Sequence, residues 1–244
     1  MKKVIALVLM IATLALSMIS CDLFGQGGST TPPEFNPDEK SEGSMTHAEF
    51  IAAEMDSEVV IEGYVQGKQS WWNDQACVYL QDGTGGYFVY NMVCTEADYA
   101  KLVPGTKIKV TGYKTEYAGL VEVDEGATFE ILEGTSWVAT ATDVTSLLGK
   151  DEIFAKQNMF VCFKGMTVKS ISYKDNTPGD DIYVTLTKDG VDHSFCVERY
   201  LTGPDTDVYK AVQALNEGDV IDVEGFLYWW NGINPHITKV TAAN

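Results

Sequence analysis

The sequence predicts a mainly β chain built as two tandem five-stranded barrels, each carrying short helices. Three observations lead there. First, Gly105–Leu120 (GTKIKVTGYKTEYAGL) aligns without a gap on Gly218–Ile233 (GDVIDVEGFLYWWNGI), pairing Ile108 with Ile221, Val110 with Val223, Gly112 with Gly225 and Tyr117 with Trp230. Second, Val59–Gly63 agrees with Val161–Gly165 at a slightly different offset. Two long copies mean two similar domains, not a solenoid of short units. Third, each copy reads as three strands, a helix and two strands, with Asp82-Gly83 and Asp189-Gly190 marking hairpins between strand-like runs.

Taken in chain order, residues 1–20 (MKKVIALVLMIATLALSMIS) combine a basic start, an apolar run and small residues, which is the pattern of a signal peptide. Met18-Ile19-Ser20-Cys21 resembles a bacterial lipobox, with Met18 where that motif prefers Leu. The resemblance implies a lipidated Cys21 as the first residue of the mature chain. It also implies a membrane partner through that lipid, on the periplasmic or cell-surface side of a bacterial envelope. Residues 21–45 hold Gly, Ser, Thr, Pro and charge with little to bury, so they read as a disordered tether.

The first domain is expected over 46–134. Thr46-x-x-Glu49 is a capping box before a short helix. Strands follow at 58–66, 76–81 and 86–92, then a helix opened by Thr95-x-x-Asp98, then strands at 106–113 and 119–132. The second domain is expected over 135–244. Thr142 and Asp143 open a linker helix closed by Gly149. Strands at 160–170, 181–187 and 192–198 lead to a helix capped by Asp205, and strands at 219–228 and 233–241 finish the copy. Three strands, a helix and two strands is the element order of an OB-fold, a Greek-key barrel. The segments VVIEGYV, VYLQDGTGGYFVY and GTKIKVTGYKTEYAGL resemble OB-fold modules of bacterial envelope lipoproteins and of some secreted nucleases. That resemblance implies a binding module and leaves open whether the ligand is an oligosaccharide, a protein or a nucleic acid.

In OB-folds the usual binding face surrounds strands two and three, framed by the loops joining strands one to two and four to five. Here the first of those loops carries Trp71 and Trp72. Strand two is expected to point Tyr79 outward; with Gly83-Thr84 as the two-residue turn, Phe88 and Tyr90 of strand three lie beside it, whereas a one-residue slip would put Tyr87 there, and Tyr117 frames the other side. The second copy offers Trp229 and Trp230 in its last hairpin. Flat rings near amides such as Asn73, Gln81 and Asn231 suit stacking on sugars or bases; alternatively, the rings pack between the two barrels.

Charge narrows the choice. The chain carries 17 Lys+Arg against 35 Asp+Glu, a formal net charge of −18, and its one Arg is Arg199. Neither copy is basic: about −7 over 58–134 and about −5 over 160–244. Nucleic-acid binding wants clustered cations, so it ranks below a glycan or a partner protein; a structural subunit of an envelope complex, with the aromatics as its contacts, is the other alternative. His47, His193 and His236 are scattered, and no phosphate loop, HExxH or GxSxG is present, so no enzyme, catalytic residue, metal or cofactor is expected. Asp175, Asp180 and Asp181 match no calcium-loop spacing. After Cys21, four cysteines (Cys77, Cys94, Cys162 and Cys196) permit three pairings in an oxidising envelope, or four buried thiols.

Overall fold

The computed structural model describes residues 35–243, so the segment 1–20 read from sequence as a signal peptide, and Cys21 after it, lie outside the described residues. The first half contains α1 (His47–Ala52), β1 (Glu58–Lys68), β2 (Gln75–Gln81), β3 (Gly86–Val93), α2 (Glu96–Tyr99), β4 (Lys107–Tyr117), β5 (Leu120–Val123) and β6 (Thr128–Leu132). The second contains β7 (Thr142–Asp143), β8 (Phe160–Tyr173), β9 (Ile182–Lys188), β10 (Val191–Val197), α3 (Asp207–Gln213), β11 (Val220–Phe226) and β12 (His236–Ala242).

The first sheet runs β1-β2-β3-β5-β4-β6, and β1 also pairs with β4. Those five strands therefore close into a barrel with OB-fold strand order. The short parallel step is made by Val89 against Val123. Strict alternation drives the closure. Val78, Leu80, Tyr87, Val89, Ile108, Val110, Val121 and Val123 point to one interior cluster. Phe50 of α1 plugs it from below, held by the Thr46–Glu49 capping box. The second sheet runs β11-β12-β10-β9-β8-β7 with β11 returning to β8, and encloses a separate apolar cluster around Phe163, Phe195, Tyr209 and Val223.

Several local expectations are corrected. Thr142–Gly149 is not an α-helix: Thr142–Asp143 pairs with Val161–Cys162, and only a 3-10 turn follows at Thr145–Leu147. Asp143 Oδ1 accepts from both the backbone N–H and the hydroxyl of Thr145, a local bond that competes with helix capping. The cap of α3 is Thr206, whose hydroxyl accepts from Tyr209 N–H at 3.2 Å, not Asp205. The expected strand 119–132 breaks into β5 and β6 around Gly126, at φ +82°.

Residues 35–45, read from sequence as the end of a tether, lie on the barrel. Lys40 Nζ donates to Asp82 (2.6 Å) and to Glu62 O (2.6 Å), while the hydroxyls of Ser41 and Ser44 donate to Glu62 Oε1. Glu62 and Asp82 are fully buried. A buried carboxylate needs such partners, and composition alone does not show where they come from. Burial works to raise the Glu62 carboxyl; the Ser41 and Ser44 hydroxyls and Lys107 outweigh it and hold it at about 2.

The halves dock through the outer face of β2, β3 and β5. Tyr79, Phe88 and Leu120 meet Phe226, Phe160, Tyr228 and Trp229. Tyr79 stacks on Phe226 with centroids 4.1 Å apart, and its hydroxyl shares a 2.6 Å hydrogen bond with His236 Nδ1. Backbone groups of β5 and its hairpin are bonded across the contact: Val121 N–H donates to Gln157 Oε1, and the side-chain amides of Gln157 and Asn158 donate to Gly119 O and Val121 O. Gly67 and Gly86 allow the close approach. A Cβ at Gly67 would lie 2.7 Å from the Phe226 ring, and one at Gly86 would lie 2.4 Å from the Asn158 backbone. Cys77, Cys94, Cys162 and Cys196 are free and buried.

Candidate functional site

The sequence-predicted rings divide into two groups. Tyr79 and Trp229 belong to packing. Tyr79 is fully buried at the docking contact, and Trp229 sits edge-on to Phe154 at 5.3 Å and against Gly119. Tyr79 does point outward from its own barrel, as alternation requires, but the second half covers that face. A large ring in low-polarity surroundings is stabilised by burial, roughly 25 cal/mol per Å² of apolar area. The hydroxyl, which would otherwise be costly to bury, is satisfied by His236. Burial in turn pushes His236 down to about 3, so it stays neutral and compatible with this contact.

Trp71, Trp72, Tyr90, Tyr117 and Trp230 remain at the surface, and the fold brings them onto one face. In the loop joining β1 to β2, Asn73 and Asp74 take positive φ (51° and 59°) and bring Trp72 and Gln75 into a tight mutual backbone pair. Trp72 is thereby left 74% exposed, while Trp71 is anchored by its indole N–H donating to Cys94 O at 2.8 Å. Opposite, the two hairpin tips touch: Asn231 N–H donates to Ala118 O at 2.7 Å, and Tyr117 meets Trp230 edge-on at 5.3 Å.

Three adjoining concavities cover this face. One, of about 490 Å³, is lined by Trp71, Trp72, Tyr90, Asn91 and Tyr200. The second, about 520 Å³, is lined by Tyr90, Tyr117, Glu122, Asp124, Tyr228 and Trp230. The third, about 590 Å³, includes Tyr183, Glu198, Tyr228, Trp230 and His236. Tyr90 borders the first and second, and Tyr228 with Trp230 borders the second and third. Gln69 lines both the first and the third, so the three adjoin one another as one groove across both halves, with Trp72 on its first part.

Its charge is acidic. The lone cation lining the three concavities is Lys174, 3.4 Å from Asp181. Arg199 lies 3.5 Å from Asp180. Burial raises the carboxyls of Glu122 and Glu198 to about 7, with the nearby carboxylates of Asp124 and Asp181 respectively adding to the rise. Among the described residues, no three Cys, His, Asp or Glu side chains gather as a metal site.

Sequence reasoning missed Tyr200 and Glu122 as lining residues. Glu122 carries a readable signal, a carboxylate inside the apolar run Leu120-Val121-Glu122-Val123. Alternation alone assigns it to solvent, yet it is 4% exposed and borders a concavity that Tyr228 and Trp230 of the other half help to line. Tyr200 enters only through docking, where its carbonyl accepts from Ser70 N–H at 2.7 Å.

No protein-family model and no curated protein matches the chain. Among solved structures, a murine DNA-binding protein bound to double-stranded DNA is similar at 14% identity and TM-score 0.38, over 76% of this chain and 96% of that one. A replication protein A heterotrimer bound to single-stranded DNA is similar at 12% identity and TM-score 0.34, over 77% of this chain and 49% of that one. The Schizosaccharomyces pombe Stn1–Ten1 complex is similar at 19% identity and TM-score 0.25, over 32% and 59%. At these levels of likeness, the OB-like character of the first barrel rests on its own strand order and closure.

Proposed function

We propose that this chain is a non-catalytic, lipid-anchored envelope protein whose two OB-fold modules, docked side by side, bind a glycan along the shared groove. The observation that carries the reading is the row of exposed rings from Trp72 through Tyr90 to Tyr117 and Trp230, running across both halves. Rings in an open groove with amides beside them suit the apolar faces and hydroxyls of sugars. Five carboxylates along the same groove, Glu116, Glu122, Asp124, Asp181 and Glu198, disfavour a polyanion. Single-stranded nucleic acid is the second reading. OB-like barrels and stacking rings admit it, while the lack of a cationic track opposes it.

One titration separates the two. The full chain, held in a polyoxyethylene detergent free of sugars, is titrated with a panel of neutral oligosaccharides and with oligo-dT while Trp fluorescence is followed at two salt concentrations. The glycan reading expects a salt-insensitive change that Trp71→Ala/Trp72→Ala abolishes. A response confined to oligo-dT and fading steeply with salt replaces it with nucleic acid. Silence from both ligands refutes both polymer readings and leaves a protein partner.

A further inference from the structure

Glu122 stands apart from the other buried carboxylates of the molecule. Glu62 and Asp82 are enclosed by hydroxyls, N–H groups and lysines. Glu122 is nearly as enclosed, at 4% exposure against 0%, yet no hydrogen bond or ion pair among the described residues reaches its carboxylate, whose oxygens keep an opening to solvent. It lies opposite Thr115 in the β4–β5 pair, on the outer face of the barrel, and lines the concavity between Tyr90, Tyr117, Tyr228 and Trp230. Asp124 and Glu116 border the same space, and no cationic side chain does. Burying an unpaired carboxylate is costly, so such a group is ordinarily matched by a counter-charge. Among the described residues none is supplied.

We infer that this concavity binds an organic ammonium group, seated between the Tyr117, Trp230, Tyr90 and Tyr228 rings and facing the Glu122 carboxylate. Aromatic rings attract a cation through their negative faces, most strongly where water is excluded. A buried carboxylate adds direct charge pairing. A metal ion fits less well, because the three carboxylates do not gather at coordinating distance. The inference deepens the groove reading, on which it rests through the shared rings. It specifies that the ligand carries an amine, as an amino sugar or an amine-substituted glycan does.

The probe is tetramethylammonium chloride, titrated into the full chain with Trp fluorescence as readout and sodium chloride at matched ionic strength as control. Choline is compared with its neutral isostere 3,3-dimethylbutan-1-ol. Saturable binding is expected, weaker by at least roughly tenfold for the neutral isostere and for Glu122→Gln. Trp230→Phe is expected to retain binding, and Trp230→Ala to lose it. Equal response to the isostere, indifference to Glu122→Gln, or displacement by calcium chloride at matched ionic strength overturns the inference. The neutral-oligosaccharide arm reports on the groove independently. Glycan binding without ammonium binding removes only this inference; ammonium binding without glycan binding removes only the polymer reading.

Discussion

Replacing Glu122 by Gln is expected to stabilise the folded protein at alkaline pH, although it removes the charge on which ammonium binding depends. The reasoning is proton linkage. The carboxyl is raised from 4.5 to about 7 by burial, with Asp124 adding to the rise. A raised pKa means that the folded state prefers the protonated form. The favourable contribution is therefore fully present below pH 4.5 and is lost as pH rises through about 7. Integrated to pH 8, the ionised group costs the fold about 3 kcal/mol, against under about 1 kcal/mol at pH 5. Glutamine keeps the shape and removes the cost. Thiol Cys77, raised by burial to about 11, and the Tyr90 and Tyr228 phenols stay neutral across this window. Asp124 and Glu116 are the other carboxylates bordering the concavity. Urea denaturation of both proteins at pH 5 and pH 8 measures the difference. Glu122→Gln is expected to gain about 3 kcal/mol at pH 8 and little at pH 5. A variant that is equally stable at both pH values, or less stable at pH 8, refutes the assignment of Glu122 as an unpaired buried carboxyl.

Two further outcomes follow from packing. Gly86→Ala places a Cβ against the Asn158 main chain at 2.4 Å, which a side-chain rotation cannot relieve, so the halves must shift apart. A loss of about 3 kcal/mol is expected, at the upper end for overpacking, with increased binding of the dye ANS to the uncovered Tyr79 face. Ser41→Ala/Ser44→Ala removes two of the donors that hold Glu62 at about 2. Because that pKa is depressed, the lost stability, about 2 kcal/mol, shows at pH 7 and disappears as pH falls from 4.5 toward 2, which melting curves at pH 7 and pH 3 will resolve.

Strand alternation made much of the first barrel readable. Val78 and Leu80 inside with Cys77 and Tyr79 outside, and Phe88 opposite Tyr79, follow from a period of two and a hairpin at Gly83-Thr84. What alternation does not carry is the destination of an outward residue. Tyr79 and Tyr90 lie on the same barrel face, yet one is sealed by Phe226 and the other is 41% exposed. That difference comes from how the second half docks, which no local pattern encodes. Asp143 shows the same limit at short range: its helix-capping composition served an Asx-type turn after a two-residue strand. Glu62 shows it at long range, since the donors that neutralise its burial come from Ser41 and Ser44 in a stretch whose composition suggested nothing to bind.

The docking contact also governs how the molecule can be dissected. Separating the halves between residues 134 and 142 would strip Tyr79, Phe88 and Leu120 of their cover and leave Phe226 and Phe160 facing water. The fragments would carry a matched pair of sticky faces and would tend to self-associate. Each would also keep only part of the ammonium cavity: Glu122 and Tyr117 on one piece, Tyr228 and Trp230 on the other. Recognition here is a property of the covalent pair, so a search for a minimal binding fragment would return two inert ones.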